Sequence, residues 1–172
     1  MAPTLDELLA LDLLTLREHT ERAGDRIDPE AHAQRLRDSL QVSQLCAVRR
    51  GGALVAYAML NPLEGASWFV RAFNIHPEHR NGPVMRDLLR EFAQVIRREG
   101  IADLRSHVYK TNRLSMAFHR KLGFRVTKEN DKGVEFYATV SDLAASGAIA
   151  RTAASLAAPD AATEGRPGAS RS

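Results

Sequence analysis

The order of apolar and polar positions divides the chain into a short series of helices and strands. Leucines recur from Leu5 to Leu16, and Thr4 with Glu7 three residues later is the signature of a capped helix start. A second helix is expected over Pro29 to Leu40. Gln44 to Arg49 and Ala53 to Leu60 are β-prone runs separated by Arg50-Gly51-Gly52, where paired glycines tolerate the positive φ angles of a tight hairpin. Ser67 to Ile75 reads as a third strand that His76-Pro77 ends, since proline cannot donate to a continuing ladder. From Pro83 the residues Met85, Leu88, Leu89, Phe92, Val95 and Ile96 recur at helical spacing, with Arg86, Arg90, Glu91, Arg97 and Arg98 opposite and Gly100 at the end. Leu104 to Tyr109 is then a strand and Asn112 to Leu122 a helix stopped by Gly123. Phe124 to Thr127 and Val134 to Val140 form a closing hairpin about Asn130-Asp131-Lys132-Gly133.

This order predicts an α/β fold with helices flanking a mixed central sheet. A strand, its crossover helix and the next strand should be neighbouring and parallel, whereas the two hairpins are antiparallel. The folded domain is expected over residues 1–143. Residues 144–172 are rich in Ala, Ser, Thr, Gly and Pro, too poor in large apolar side chains to offset their ordering entropy, and are expected to be a flexible tail whose alanines allow a frayed helix from Ser141.

Composition narrows the function. With 172 residues, 44% hydrophobic and 26% charged, the chain suits one domain with its own core. Its 24 Lys and Arg against 21 Asp and Glu leave only +3, with basic residues interleaved among acids, which argues against a nucleic-acid partner. No apolar run reaches the roughly 18 residues of a membrane span, and Met1 to Leu13 carries acids, so a cytoplasmic protein with no membrane partner is expected. Cys46, the single cysteine, sits among Leu45, Ala47 and Val48 and reads as a small buried hydrophobe. No metal-ligand cluster stands out. A homodimer is left open.

Two segments carry chemistry. The turn Ile75-His76-Pro77-Glu78-His79-Arg80-Asn81-Gly82-Pro83 delivers a strand into a helix, and Arg80 adds charge to the helix's positive end, a place for an anion. The second segment, Asn112-Arg113-Leu114-Ser115-Met116-Ala117-Phe118-His119-Arg120-Lys121-Leu122-Gly123-Phe124, starts with an asparagine able to cap its helix. It resembles the second conserved segment of the GNAT acyltransferase superfamily, and the turn is similar to that superfamily's acyl-CoA pyrophosphate loop, with Ile75, Pro77 and Arg80 at the matching positions. The resemblance covers Gln44 to Val140 well; the N-terminal helices fit loosely, and no first strand precedes them. It implies a splayed sheet, acetyl-CoA or another acyl-CoA as donor, no metal, and a small-molecule primary amine as acceptor, attacked in a ternary complex.

Carried over residue by residue, the resemblance places the pantetheine arm along the main chain of Phe73, Asn74 and Ile75. It places the pyrophosphate at Arg80, Asn81 and the amides of Gly82, Val84, Met85 and Arg86, and further donor contacts at Asn112, Ser115, Phe118 and Lys121. His119 stands where the family often has a tyrosine that protonates the leaving thiolate; imidazolium can do this too, although an exposed helix histidine without such a role is an equal reading. Tyr109 is the other candidate acid and His107 a candidate base. His76 reads as structural and Glu78 as solvent-facing. Two positions depart from the family: Pro83 has no N–H where a glycine is usual, and Met85 replaces a small residue. These departures allow two alternatives, a donor held on an acyl carrier protein and a catalytically silent module that binds CoA or a partner.

Overall fold

The computed structural model describes residues 1–147, and the alternation seen in the sequence appears as α1 (Leu5–Arg22), α2 (Pro29–Leu40), β1 (Gln44–Arg50), β2 (Ala53–Pro62), β3 (Ser67–Ile75), α3 (Gly82–Glu99), β4 (Asp103–Tyr109), α4 (Arg113–Leu122), β5 (Arg125–Glu129), β6 (Gly133–Thr139) and α5 (Val140–Ala145), with a 3-10 turn at Pro77–His79. The tail expected over 144–172 lies outside the described residues apart from 144–147, of which Ala144 and Ala145 end α5. No helix among the described residues is long and apolar enough to cross a membrane.

The described strands form one mixed sheet in the order β1-β2-β3-β4-β6-β5, in which only β3 and β4 run parallel as neighbours. The crossover through α3 thus behaves as expected. The crossover through α4 does not, because β6 inserts between β4 and β5. Burial explains the choice: Val134, Phe136 and Ala138 of β6 are buried, whereas all five residues of β5 are exposed. A strand of Arg, Val, Thr, Lys and Glu suits a solvated edge better than a sheet interior.

Two cores sandwich the sheet. Leu8 and Leu11 of α1, Leu36 of α2, and Tyr57 and Met59 of β2 pack on one face. On the other, Val84, Leu88, Leu89, Phe92, Val95 and Ile96 of α3 meet Ala56, Ala58 and Leu60 of β2 and Leu104 and Val108 of β4. Alternate residues of β2 therefore feed opposite cores, as the two-residue period of a strand requires. Burial pushes the Cys46 thiol up to about 12, so it behaves as a core hydrophobe.

Local chemistry sets the boundaries. Thr4 caps α1 through a capping box with Glu7, as expected, but α1 runs on to Arg22, well beyond the leucine stripe. α3 begins at Gly82 rather than Pro83, because Asn81 takes the N-cap and its Oδ1 accepts from Val84 N–H at 3.1 Å. Gly123 ends α4 with φ of 98°, and a Cβ there would stand 2.8 Å from the Asp142 carbonyl oxygen, so this close passage of α5 needs glycine.

The feature that opens the sheet is a bulge. Met59 pairs with Ala72 and Leu60 with Val70, which leaves Arg71 as the extra residue on β3. β3 and β4 pair only from Ser67 with Asp103 to Phe69 with Arg105. Past the bulge the two strands diverge. β3 stays bonded to β2 as far as Ile75, and β4 to β6 as far as Tyr109, so each keeps one partner and turns its other edge to the gap.

Candidate active site

The gap opens into a cavity of about 750 Å³. Phe69 to Ile75 of β3 and Ser106 to Tyr109 of β4 form its floor, and Arg80, Asn81, Gly82 and Met85 stand at the α3 end. Asn112, Ser115, Phe118 and His119 come from α4 and its approach, while Asp12, Thr15 and His19 of α1 and His32 and Arg35 of α2 form the opposite wall. Of the residues expected at the site, Phe73, Asn74, Ile75, Arg80, Asn81, Gly82, Met85, Tyr109, His107, Asn112, Ser115, Phe118 and His119 all line this one cavity. Val84, Arg86 and Lys121 are not among its lining residues: Val84 is 1% exposed in the core, and the other two are exposed.

The α3 end is built from its own cap. Val84 N–H is given to Asn81 Oδ1, and Met85 N–H to the Asn81 carbonyl at 3.1 Å, so two amides expected to meet an anion already have internal partners. Pro83 offers none. What this end presents is the positive pole of an 18-residue helix with the exposed Arg80 beside it. Asn112 repeats the device at α4, its Oδ1 accepting from Ser115 N–H at 3.0 Å. Phe73 bridges the two helices, with ring centroids 5.9 Å from Phe92 and 5.2 Å from Phe118.

His119 lies beneath the α4 wall and is 7% exposed. Its Nδ1 is 2.8 Å from the Ser115 carbonyl oxygen, which requires the proton on Nδ1, so Nε2 accepts from Ser106 Oγ at 3.1 Å. The ring stacks on Phe136 with centroids 4.8 Å apart. Burial lowers the His119 pKa below its ordinary value, the Ser115 bond opposing only in part. The folded state therefore resists protonation while the unfolded chain accepts it. The stability this contributes is complete above the unfolded pKa of 6.5 and is lost as pH falls through it toward the lowered folded value. Denaturant melts between about pH 5 and pH 8 should show that decline, and it should be shallower in His119→Gln.

The other two expected catalytic residues are held differently. Tyr109 donates its hydroxyl to Asp25 Oδ2 at 2.9 Å, and burial, reinforced by that carboxylate, raises its pKa, which makes it a poor acid. Asp25 also binds Lys132 Nζ at 2.5 Å, so the α1–α2 connector, which reads in sequence as a solvated loop, is fastened to the ends of β4 and β6. His107 is turned to solvent, 3.3 Å from Glu135 Oε2 and edge-on to Phe69.

One cluster has no counterpart in the sequence reading. Asp12, in the middle of α1, is 2% exposed; its Oδ1 accepts from the Tyr57 hydroxyl and from Asn74 Nδ2 at 2.6 Å, and its Oδ2 lies 2.7 Å from His32 Nε2. Burial, with the Asp12 charge behind it, raises the Tyr57 pKa and keeps that hydroxyl a donor. The available signal was positional: Asp12 follows Leu8 by four residues and precedes Thr15 by three, on the stripe that α1 buries.

With this geometry in hand, comparisons with known proteins bear on its use. The model of the acetyltransferase (GNAT) family matches residues 8–124. No curated protein matches the chain by sequence. Among solved structures, the PaiA N-acetyltransferase of Thermoplasma acidophilum in complex with coenzyme A superposes with a TM-score of 0.63 at 15% identity, covering 78% of this chain and 92% of that one. An acetyltransferase of Thermus thermophilus superposes with a TM-score of 0.62 at 20% identity, over 79% and 90% of the two chains. The ribosomal-protein-alanine N-acetyltransferase of Brucella melitensis gives 0.56 at 23% identity, over 79% and 94%. At these identities the likeness is one of fold.

Proposed function

The chain belongs to the GNAT acetyltransferase family, and from that premise we propose that it transfers an acetyl group from acetyl-CoA to the primary amine of a small molecule by direct attack. The observation that carries this reading is the parting of β3 from β4 after Phe69 and Arg105, which turns two unpaired strand edges into a cavity with Arg80 at one end. When bound, acetyl-CoA supplies an activated carbonyl and a thiolate leaving group. Main-chain groups of Phe73, Asn74 and Ile75, on the free edge of β3, pair with the amides of the pantetheine arm as an added strand would. Arg80 and the positive pole of α3 meet the pyrophosphate. The α1 and α2 wall receives the acceptor, which approaches the carbonyl from the face opposite α3.

Ser106 and His119 serve the leaving sulfur together. The Ser106 hydroxyl, whose one proton goes to His119 Nε2 at 3.1 Å on the cavity wall, exchanges that acceptor for the sulfur as negative charge develops there and stabilises the charge without giving up its proton. His119 stays neutral and holds Ser106 in place until that exchange. Ser106→Ala should lower kcat by about 100-fold and leave the Kd for acetyl-CoA within about 2-fold, because the bond strengthens only as charge develops. Equal loss in binding and turnover would assign Ser106 to ground-state binding.

Release of free CoA thiol from acetyl-CoA across a panel of primary amines, with the mass of the acetylated product, tests the reading. Amine-dependent release with a 42 Da gain (roughly one acetyl for one hydrogen) is the expected result, and absence of acetyl-CoA binding by calorimetry overturns it. The occupied Val84 amide and Pro83 favour one second reading, a donor carried on the phosphopantetheine of an acyl carrier protein. In that case acetyl-pantetheine would bind as tightly as acetyl-CoA.

A further inference from the structure

Two histidines of the cavity stand beside carboxylates, and they are built differently. The His107 side chain is 66% exposed, and its partner Glu135 is shared with Thr127 at 2.9 Å, Arg105 at 3.1 Å and Lys128 at 3.9 Å. His32 is 17% exposed, and the Asp12 side chain that it meets at 2.7 Å is 3% exposed. Tyr57 from β2 and Asn74 from β3 both donate to the other Asp12 oxygen, so the carboxylate is fixed from two strands before His32 adds a third bond.

A fixed buried carboxylate beside one imidazole nitrogen decides where the ring proton sits. Nε2 carries it and donates to Asp12 Oδ2. Nδ1 is left with its lone pair, and its neighbour is Arg35 NH2 at 3.4 Å, a long contact from an exposed side chain that an incoming group can displace. A base held by a buried acid and open on its far nitrogen is the arrangement that proton abstraction from an attacking group needs.

We infer that His32, positioned by Asp12, is the general base of this enzyme and takes the proton from the acceptor's ammonium group, directly or through one water; this rests on the acetyltransferase reading above. An N–H bond of the ammonium breaks, its electron pair stays on nitrogen, and the proton passes to His32 Nδ1. The neutral amine then forms the C–N bond with the thioester carbonyl as the C–S bond breaks and its pair leaves on sulfur, and the second proton on the new amide nitrogen passes to that sulfur, directly or through water, to give the amide and the free CoA thiol. His32 returns its proton to water. Asp12 contacts neither substrate and acts through the ring it orients. Besides Tyr57 on β2 and Arg35 on α2, which touch the pair, the charged and titratable groups that line the same cavity are His19 on α1, Arg71 and Arg80 on and after β3, His107 and Tyr109 on β4 and His119 on α4.

The test is the pH profile of kcat/KM for wild type, His32→Gln, Asp12→Asn and His107→Gln, using acetyl-CoA and an amine that the wild type acetylates. Calorimetric acetyl-CoA affinity and thermal unfolding are measured on each. Wild type should show an ascending limb that His32→Gln abolishes with a loss of about 100-fold and no change in acetyl-CoA affinity. Asp12→Asn keeps an oxygen for Tyr57 and Asn74 but presents an N–H to His32, which drives the ring proton onto Nδ1 and blocks the base. It should lose a similar factor while remaining folded. A wild-type profile in His32→Gln, or loss of the limb in His107→Gln instead, overturns the inference and leaves the acetyltransferase reading standing. Failure of the wild type itself to bind acetyl-CoA overturns that reading first.

Discussion

Asp12→Ala is expected to cost about 3–5 kcal/mol of stability, because it removes the shared acceptor of three donors in a nearly dry site. The Tyr57 hydroxyl and the Asn74 amide both end on Asp12 Oδ1, and His32 ends on Oδ2. Tyr57 is fully buried at 0% exposure, so loss of the carboxylate leaves its hydroxyl inside the fold without the acceptor it uses. The penalty falls where α1 meets β2 and β3 and where α2 meets α1, so the whole wall of the cavity should loosen. For a domain of this size the loss corresponds to a drop in Tm of roughly 10–15 °C, read by circular dichroism or calorimetry. Asp12→Asn should lose far less, since one amide oxygen still accepts from Tyr57 and Asn74. Equal melting of Asp12→Ala and wild type would show that the cluster holds nothing together.

Phe136→Ala should be of similar size, about 3–5 kcal/mol, through the cavity it leaves in the middle of the sheet. Phe136 is 0% exposed, stacks on His119 at 4.8 Å and meets Phe124 edge-on at 6.5 Å. The variant has a second signature. With the stacked ring gone, water reaches the His119 imidazole, and the burial that lowers its pKa is relieved. The stability lost on acidification through about 6.5 should therefore be smaller in Phe136→Ala than in wild type, even though its stability at neutral pH is lower. A purely structural loss with an unchanged acid slope would place the cause of the His119 shift elsewhere.

Much of the scaffold is written locally. Thr4 and Glu7 announce α1, the apolar run Ala53 to Leu60 announces a strand, and Gly51-Gly52 and Gly123 mark turns that the structure keeps. These signals survive because each depends on neighbours within about four residues. The start of α3 shows where local reading stops: Pro83 is the obvious first residue, but the cap belongs to Asn81, whose side chain takes the Val84 amide and shifts the helix by one residue. The place of β5 is lost in the same way. Its charged residues suit an edge, yet only competition with the more apolar β6 for the position beside β4 sends it there.

The candidate site divides along the same line. Arg80, Asn112, Ser115 and His119 were legible because they fall in two segments whose residue order resembles a known family, and order is what a sequence displays. Their states were not. His119 reads as an exposed helix residue or an acid, and is neither exposed nor easily protonated, because Ser106 on β4, thirteen residues earlier, and Phe136 on β6, seventeen residues later, close over it.

By itself the sequence determined the elements, the central α3 crossover and the two segments that resemble the family's, since hydrophobic period, caps and turns are short-range properties of the chain. Only the tertiary structure decided that an extra residue at Arg71 parts β3 from β4, and that Asp12, His32, Tyr57 and Asn74 meet from four elements across 62 positions of sequence. A bulge needs a partner strand to be defined, and a buried carboxylate needs donors that no local rule brings to it. The site's scaffold is therefore legible along the chain, while its proton chemistry exists only where the folded elements converge.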